Sequence, residues 1–279
     1  IINNSSAGIY LRPNASGSHP TVINSIIYGN SDNNQIIMSS GGNAYLSAID
    51  ISYCLVEGGQ SSISQVLNDT INWGSGNIDV DPMFVDSDNG NYNLLASSML
   101  INAGHPDSTD SDGTRADMGA YPYLNNYSGP DWFISESGND LTATGSSDNP
   151  FRSIQAALNF GNDDDIAYVS AGTYNENLVY RYDQSESIRS VSLIGENKET
   201  TIIDGDHNGS VIIIHGVDET SLISGFTLTN GNAYSGWGSG GGMHIDNSDL
   251  SVENLRITNN YASHNAGGVL INECSPHFK

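Results

Sequence analysis

Residues 222–271 read LISGFTLTNGNAYSGWGSGGGMHIDNSDLSVENLRITNNYASHNAGGVLI, and this stretch nearly repeats itself. The pattern Ile223-x-x-Phe226-x-Leu228-x-Asn230 returns 29 residues later (252 − 223) as Val252-x-x-Leu255-x-Ile257-x-Asn259. A second pattern, Gly242-Met243-x-Ile245, returns 26 residues later (269 − 243) as Gly268-Val269-x-Ile271. Each pass contains short runs in which apolar and polar residues alternate, and such alternation turns one face of a strand inward.

A repeat of roughly 20 to 50 residues is typical of a stacked array, because one pass has too little apolar surface to form a core alone. Strands that recur in one direction at this spacing predict a parallel β-helix, in which each coil pairs with the coils above and below. The competing interpretation is an antiparallel sandwich, which also has short and regularly spaced strands. A sandwich, however, has no need to restore one pattern after a whole turn. We therefore predict an all-β chain built as a parallel β-helix.

The composition is strongly acidic, with 8 Lys and Arg against 32 Asp and Glu and a formal charge of −24. Such a surface repels nucleic acid and anionic membranes, so we expect no nucleic acid as a partner. We also expect no membrane insertion, because no apolar run reaches the length of a membrane span. Ile1 opens inside a patterned segment without a signal peptide, which predicts a piece of a longer chain.

Residues 1–60 contain further coils of the same template, namely Ile23-x-x-Ile26-x-Tyr28-x-Asn30 and Ile51-x-x-Cys54-x-Val56-x-Gly58. Cys54 therefore takes a core position, which predicts a buried thiol that acts as a small hydrophobic residue. The other cysteine, Cys274, aligns with Ser248 near a turn. A disulfide between the two cysteines is an open alternative for which the sequence offers no support.

Asparagine recurs at the last position of the template, in Asn230, Asn259, Asn30 and either Asn3 or Asn4. Asparagine tolerates the left-handed backbone conformation and bonds its own backbone at turns. We therefore expect a structural row of asparagines along the stacked coils.

Residues 78–123 leave the repeat and carry a series of short motifs: Asp81-Pro82-Met83-Phe84, Asn89-Gly90-Asn91-Tyr92-Asn93-Leu94, Ala103-Gly104 and Asp117-Met118-Gly119-Ala120-Tyr121. On these motifs the segment resembles the closing region of secreted bacterial proteins of the pectin-lyase-like superfamily, which are right-handed parallel β-helices. The resemblance implies a right-handed coil and says little about activity, because such regions occur on enzymes and on other proteins alike.

The best candidate for an ion site lies within this closing region, in the loop that carries Asp107, Asp110, Asp112 and Asp117. Closely spaced Asp residues around a glycine allow one loop to wrap several oxygens around a cation, as Ca²⁺ prefers. The loop is not an EF-hand, since no Glu stands at the twelfth position. The alternative is a solvated acidic turn, and Arg115 inside the loop favours that alternative by neutralising a carboxylate.

Residues 124–131 have the composition of a linker. The segment after them resembles the opening of the same superfamily, on Ser137-Gly138-Asn139-Asp140, Pro150-Phe151-Arg152-Ser153-Ile154-Gln155-Ala156-Ala157 and Ala171-Gly172-Thr173-Tyr174. Helical spacing after Pro150 predicts a short capping helix near 151–160. We predict two arrays in tandem: residues 1–123 end a first β-helix, and residues 132–279 begin a second one.

The second array stops at Lys279 without a cap, in a run that would begin another strand. Its last coil would then have an unpaired edge, and Lys279 leads naturally into a residue like Ile1. One hypothesis is that copies of the chain stack end to end, which yields filaments when the rotation does not close. Truncation of a longer protein at both ends is the other hypothesis.

Catalytic signatures are weak. Lyases of this superfamily need a Lys or Arg base, and hydrolases need two positioned carboxylates, but neither set is evident in the sequence. The seven histidines are scattered, and His207 and His215 lack a second anchoring residue. We expect a structural or adhesive extracellular module, possessing no cofactor other than calcium. The alternative is a carbohydrate-active fragment that binds or cleaves polysaccharide, with Trp237 and exposed tyrosines stacking on sugars; Trp237 as a packing residue is the simpler reading.

Overall fold

The computed structural model describes residues 1–12, 18–30, 34–39, 46–66, 68–180, 190–234 and 240–279. The chain divides into two compact units, residues 1–124 and residues 125–279. Both units are built from short strands that pair in parallel with strands one coil away. The predicted all-β parallel β-helix is therefore confirmed. No helix in the described part of the chain is long and apolar enough to cross a membrane.

Three parallel sheets run along the second unit. The first contains β11 (Asp131–Ile134), β12 (Ile166–Val169), β15 (Ser192–Gly195), β18 (Leu222–Ser224), β22 (Ser251–Glu253) and β26 (His277–Phe278). The second contains β13 (Gly172–Asn175), β16 (Thr201–Asp204), β19 (Thr227–Thr229) and β23 (Arg256–Thr258). The third contains β14 (Leu178–Val179), β17 (Ile212–His215), β21 (Met243–Asp246) and β25 (Val269–Asn272). A short pair, β20 (Asn232–Ala233) and β24 (Tyr261–Ala262), completes the coils.

The strand register reproduces the sequence repeat. Ile223 pairs with Val252, Leu228 with Ile257, and Met243 with Val269. These positions point inward and form apolar rows along the unit, of which Ile214, Ile245 and Ile271 are another example. Rows persist because a strand has a side-chain period of two, so a slip by one residue would turn every apolar side chain toward water.

The predicted capping helix is present as α1 (Ile154–Phe160), and every residue of α1 is buried. It packs beside β11, β12 and β14 at the start of the second unit. Phe151, just before the helix, is fully buried and stacks on Trp132 and Phe160. The helix and this aromatic stack cover the end of the apolar interior, as terminal caps do in solenoids.

The first unit has three smaller parallel sheets. They contain β1 (Ile9–Leu11), β4 (Ile36–Met38) and β7 (Ile63–Ser64); β2 (Thr21–Ile23), β5 (Ala48–Ser52) and β8 (Thr70–Trp73); and β3 (Ile26–Ile27) with β6 (Leu55–Val56). The closing region forms an antiparallel hairpin of β9 (Phe84–Asp86) and β10 (Asn91–Leu94). Two 3₁₀ turns, Gly59–Ser62 and Ser87–Asn89, complete the unit.

The alignment of Ile23–Asn30 on the template is wrong by one residue. Ile23 pairs with Ser52 rather than Ile51, and Ile26 pairs with Leu55 rather than Cys54. The reason is that Gly29, with a φ of 66°, takes the left-handed position of this coil. Asn30 is instead buried, and its Oδ1 accepts a hydrogen bond from Asn4.

The remaining asparagines of the expected row do take the left-handed conformation. The φ angles are 53° at Asn3, 57° at Asn230 and 56° at Asn259. Asn and Gly tolerate this region because the steric penalty there is smallest for them. The row therefore mixes the two residue types: Asn3, Gly29 and Gly58 form it in the first unit, and Asn230 and Asn259 belong to it in the second.

Both cysteines are free thiols. Cys54 is fully buried, and burial raises its pKa to about 11. The predicted role as a small hydrophobic residue in the core is confirmed. Cys274 is partly exposed, and its Sγ lies 3.8 Å from the carbonyl oxygen of Ile245.

Candidate functional site

The acidic loop of the closing region folds back on its own backbone. The two carboxylate oxygens of Asp117 accept the N–H groups of Asn102 (2.6 Å) and Tyr123 (2.7 Å). Asp110 accepts the N–H of Asp117 at 2.9 Å. Asp112 accepts both the N–H and the hydroxyl of Thr114, while the side chain of Asp107 is 93% exposed. Three of the four candidate calcium ligands thus stabilise the loop directly.

These four aspartates do not converge on one point. Across the described ranges, no three side chains of His, Cys, Asp or Glu come together in a way that would hold a metal ion. The pKa of Asp110 is raised by burial and by the charge of Asp112, against the opposing effect of the Asp117 N–H. The observed geometry is that of a hydrogen-bonded turn, and calcium binding by this loop stays a prediction.

Trp237 lies outside the residues that the structure describes, so its expected contact with sugars has no structural description. Tyr234, which is close to Trp237 in sequence, forms an exposed aromatic pair with Tyr261 of the next coil, with ring centroids 5.7 Å apart. Their exposed fractions are 65% and 53%. The hydroxyl of Ser263 donates to the carbonyl of Tyr234 and fixes the two coils at this point. Large apolar side chains at such exposure are candidates for contact with a ligand.

A histidine cluster lies on the outer face of the third sheet of the second unit. Nδ1 of His215 lies 2.5 Å from Oδ2 of Asp246, and Asn272 donates to Oδ1 of the same carboxylate. These three residues occupy one row across β17, β21 and β25. His244 stands two residues before Asp246 on the same face, and burial lowers its pKa. The carboxylate of Asp246 has a lowered pKa, first because of the Asn272 hydrogen bond.

The expectation that His215 lacks a second anchor is therefore wrong, since Asp246 supplies one. A carboxylate beside Nδ1 fixes the orientation of the ring and its tautomer. The pairing was invisible in the sequence because the two residues lie on different coils. Only the register of Ile214 with Ile245, fixed by the apolar row, would have brought them together.

Glu176 is a second functional candidate that the sequence did not reveal. Its two oxygens accept the N–H groups of Ile154 (2.8 Å) and Gln155 (3.0 Å) at the start of α1. Burial raises its pKa to about 7, although these two hydrogen bonds act in the opposite direction. A small polar cavity of about 70 Å³ adjoins the carboxyl group, and Glu136, Arg152 and Tyr174 contribute to its lining. The carboxyl group of Glu176 thus holds α1 against the first coil of the second unit.

The three aspartates before β12 also have structural partners. Asp163 accepts the N–H of Ser190, and Asp165 accepts the indole N–H of Trp132 at 2.8 Å. Asp164 has a left-handed φ of 65° in the tight turn between them. These contacts serve the fold rather than an acid–base pair.

One family matches part of the chain. It is described as "Protein of unknown function (DUF1565)", and it matches residues 136–199. The matched segment contains α1, Glu176 and the first coil of the second unit, and it overlaps the residues that resemble the opening of pectin-lyase-like proteins. No curated protein and no solved structure matches the chain.

Proposed function

We propose that the chain is a structural or adhesive β-helix module that acts outside the cell and stacks end to end with copies of itself. The observation that carries the proposal is an uncovered apolar layer on the last coil of the second unit. Ile271 is 45% exposed, although Ile214 and Ile245 in the same inward row are fully buried. A further coil laid on this edge, whether from a copy of the chain or from residues that follow Lys279, would extend the row and bury the layer.

The edge also carries the polar groups that such an addition requires. A strand at the end of a sheet presents unpaired N–H and C=O groups, which form a template for another strand. The apolar positions of β23, β25 and β26 include Ile257, Val269 and Phe278, and none of these three is fully buried. The coils within each unit are held together by burial of apolar surface and by strand pairing. The same forces act at this edge.

The acidic charge and the two sequence resemblances support the wider setting. We propose membership of the pectin-lyase-like superfamily. Residues 136–199, which match the family of unknown function, contain the helix and the first coil at the positions that the resemblance predicts. A net charge of −24 keeps such a module soluble in a salty exterior.

Two variants of one strand test the stacking. Ile271→Glu places a charge in the inward row at the uncovered edge, whereas Leu270→Glu places the same charge on the outward face of β25. Burying an unpaired carboxylate at an interface is costly. We expect Ile271→Glu to weaken self-association at least about tenfold in sedimentation velocity, and Leu270→Glu to leave it nearly unchanged.

Far-UV circular dichroism of both variants controls for folding, because Ile271 is already partly exposed and its replacement leaves the inner coils intact. Equal sedimentation of the wild type and both variants, all as single chains at every concentration, would exclude stacking through this edge.

Calcium binding by the acidic loop stays a separate proposal. It predicts that calcium raises the thermal midpoint of the wild type above its value in a chelator, and that Asp107→Asn removes the rise. Asp107 is the right position, because its side chain is 93% exposed and its loss leaves the internal bonds of the loop in place. An identical midpoint with calcium and with chelator would contradict calcium binding.

Glycan binding is the second candidate, and the exposed pair Tyr234 and Tyr261 favours it. Adjacent aromatic rings on neighbouring coils offer apolar faces to sugar rings. A double replacement of both tyrosines by Leu should abolish retardation on neutral polysaccharide gels if they bind glycan. If the double variant is retarded as much as the wild type, or if the wild type is not retarded at all, the two tyrosines do not bind glycan.

A further inference from the structure

Three asparagines of the chain are followed directly by glycine, namely Asn89, Asn208 and Asn230. At such a dipeptide the backbone nitrogen of the glycine can attack the side-chain amide carbon of the asparagine, because glycine has no Cβ atom to obstruct the approach. A hydrogen bond that holds the amide or the attacking nitrogen opposes this reaction. The surrounding structure therefore decides which of the three asparagines can react.

Asn230 is held by the neighbouring coils. Its Nδ2 atom donates to the carboxylate of Asp204 at 2.8 Å, and the N–H of Gly231 donates to the side chain of Asn260 at 2.7 Å. Both the amide that would be attacked and the nitrogen that would attack are thus engaged. Gly231 is also buried, which keeps away the water that the reaction needs.

Asn89 is exposed, but its own turn holds it in the same two ways. Its Nδ2 atom donates to Oδ2 of Asp86 at 2.8 Å, and the N–H of Gly90 donates to the carbonyl of Ser87 at 3.1 Å. Asn89 therefore separates the effect of hydrogen bonding from the effect of burial, and it is the matched comparison for an exposed asparagine.

Asn208 lacks both restraints. It is exposed in the turn between β16 and β17, where its own N–H donates to the carbonyl of Gly205 at 2.9 Å. Within the described ranges, no group bonds the side-chain amide of Asn208, and none accepts the N–H of Gly209. The space beside Gly209 is open, because a Cβ atom there would have one neighbour within 4 Å, the Nδ2 atom of Asn177 at 3.8 Å.

We propose that Asn208 is a site of spontaneous covalent modification in which water is the only other reactant. The nitrogen of Gly209 bonds to Cγ of Asn208, the Cγ–Nδ2 bond breaks, and the proton of the N–H group leaves with the amide nitrogen as ammonia. Water then adds to one of the two carbonyl carbons of the resulting imide ring and breaks the bond from that carbon to the ring nitrogen. The products are aspartate and isoaspartate in place of Asn208.

Either product changes the contacts of this coil. Each adds a negative charge near Asp204 and Asp206 of the same turn, in a chain whose formal charge is already −24. Isoaspartate also routes the backbone through the side-chain methylene group, which displaces Gly209. Because the carbonyl of Gly209 accepts the N–H of Asn232 at 2.6 Å, the modification acts on a contact between adjacent coils.

Peptide mapping by mass spectrometry tests the assignment on the folded wild type, kept below its thermal midpoint in mildly alkaline water enriched in heavy oxygen. The new carboxyl group takes one oxygen from water, so the label marks conversion that occurs during the incubation. We expect Asn208 to convert at least about tenfold faster than Asn89 and Asn230. In guanidinium chloride, where the protecting contacts are lost, we expect the three rates to agree within about threefold.

Two variants locate the modified residue through labelling by a methyltransferase specific for isoaspartate. Asn208→Gln should remove most of the label, because the longer side chain would have to close a less favourable ring. Asn89→Gln is the matched control at another exposed asparagine and should leave the label nearly unchanged. The proposal is overturned if Asn208 does not convert in the folded protein, if the three asparagines convert equally fast there, if the unfolded chain shows the same preference, or if both variants lose the label equally.

Discussion

The carboxyl group of Glu176 is enclosed at the start of α1, where burial raises its pKa to about 7 from an ordinary value of 4.5. A group whose pKa is higher in the folded state binds its proton more tightly there, so its contribution to stability is largest at low pH. The contribution is complete below pH 4.5 and is lost as the pH rises through 7. The expected loss between pH 5 and pH 8 is about 2 to 3 kcal/mol.

Glu176→Gln removes the ionisable carboxyl group. The variant therefore shows how the stability of the protein depends on pH when Glu176 does not titrate. We predict that the substitution costs more unfolding free energy at pH 5 than at pH 8, by about 2 to 3 kcal/mol, in urea denaturation at both pH values. Because every other ionisable group is shared, the difference isolates Glu176. A cost that is the same at both pH values would show that the carboxyl group titrates normally in the folded state.

Asn259 tests the left-handed row. It is exposed and has a φ of 56°. Ala pays a steric penalty in this conformation, whereas Gly does not. We predict that Asn259→Ala lowers the free energy of unfolding by about 1 kcal/mol and that Asn259→Gly changes it by less than about 0.5 kcal/mol. Equal effects of the two substitutions in chemical denaturation would contradict a backbone origin.

Single residues also mark where sequence reasoning succeeded and where it failed. The pairs Ile223 with Val252 and Leu228 with Ile257 were predicted because inward apolar residues must stack. Asn30 was misplaced because Gly takes a left-handed position as easily as Asn, so Gly29 and Asn30 were both eligible. Apolar pattern alone does not separate two adjacent turn residues.

The cap of the second unit depends on one aromatic stack. Phe151 is fully buried, with ring centroids 6.1 Å from Trp132 and 5.4 Å from Phe160. We predict that Phe151→Ala lowers the free energy of unfolding by about 3 to 5 kcal/mol, because the cavity cannot close around three stacked rings. Leu141→Ala is the control: Leu141 is 48% exposed, and its truncation should cost less than about 0.5 kcal/mol. Similar losses for both variants in urea unfolding would refute a special role for the stack.

The helix α1 was predicted near 151–160 from the helical spacing after Pro150, and its bounds, Ile154–Phe160, lie within that range. The outer faces of the sheets were not predictable to the same degree. His215 and Asp246 meet because coils of unequal length stack, and the loops that set those lengths have no periodic pattern. Glu176 was missed for a similar reason. It follows β13, 22 residues after the start of α1, and accepts a hydrogen bond from the first residue of the helix.

The charge of the whole chain acts against its folded state. With −24 formal charges, like-charge repulsion is strong at low ionic strength, where the screening length is about 30 Å at 0.01 M. Exposed ion pairs such as Arg256 with Glu199 contribute little against this repulsion. We predict that the thermal midpoint rises by several degrees between about 10 and 300 mM sodium chloride and then levels off. A midpoint that falls with salt would mean that attractive surface pairs dominate.

Stacking through the uncovered coil edge is the central claim, and electron microscopy of the purified chain, combined with fibre diffraction, tests it most directly. A solenoid continued from copy to copy has its strands perpendicular to the long axis, with neighbours about 4.7 to 4.9 Å apart. We predict filaments at high protein concentration with a reflection at that spacing along the filament axis, and none from Ile271→Glu. Isolated particles at every concentration, for the wild type as for the variant, would contradict the claim.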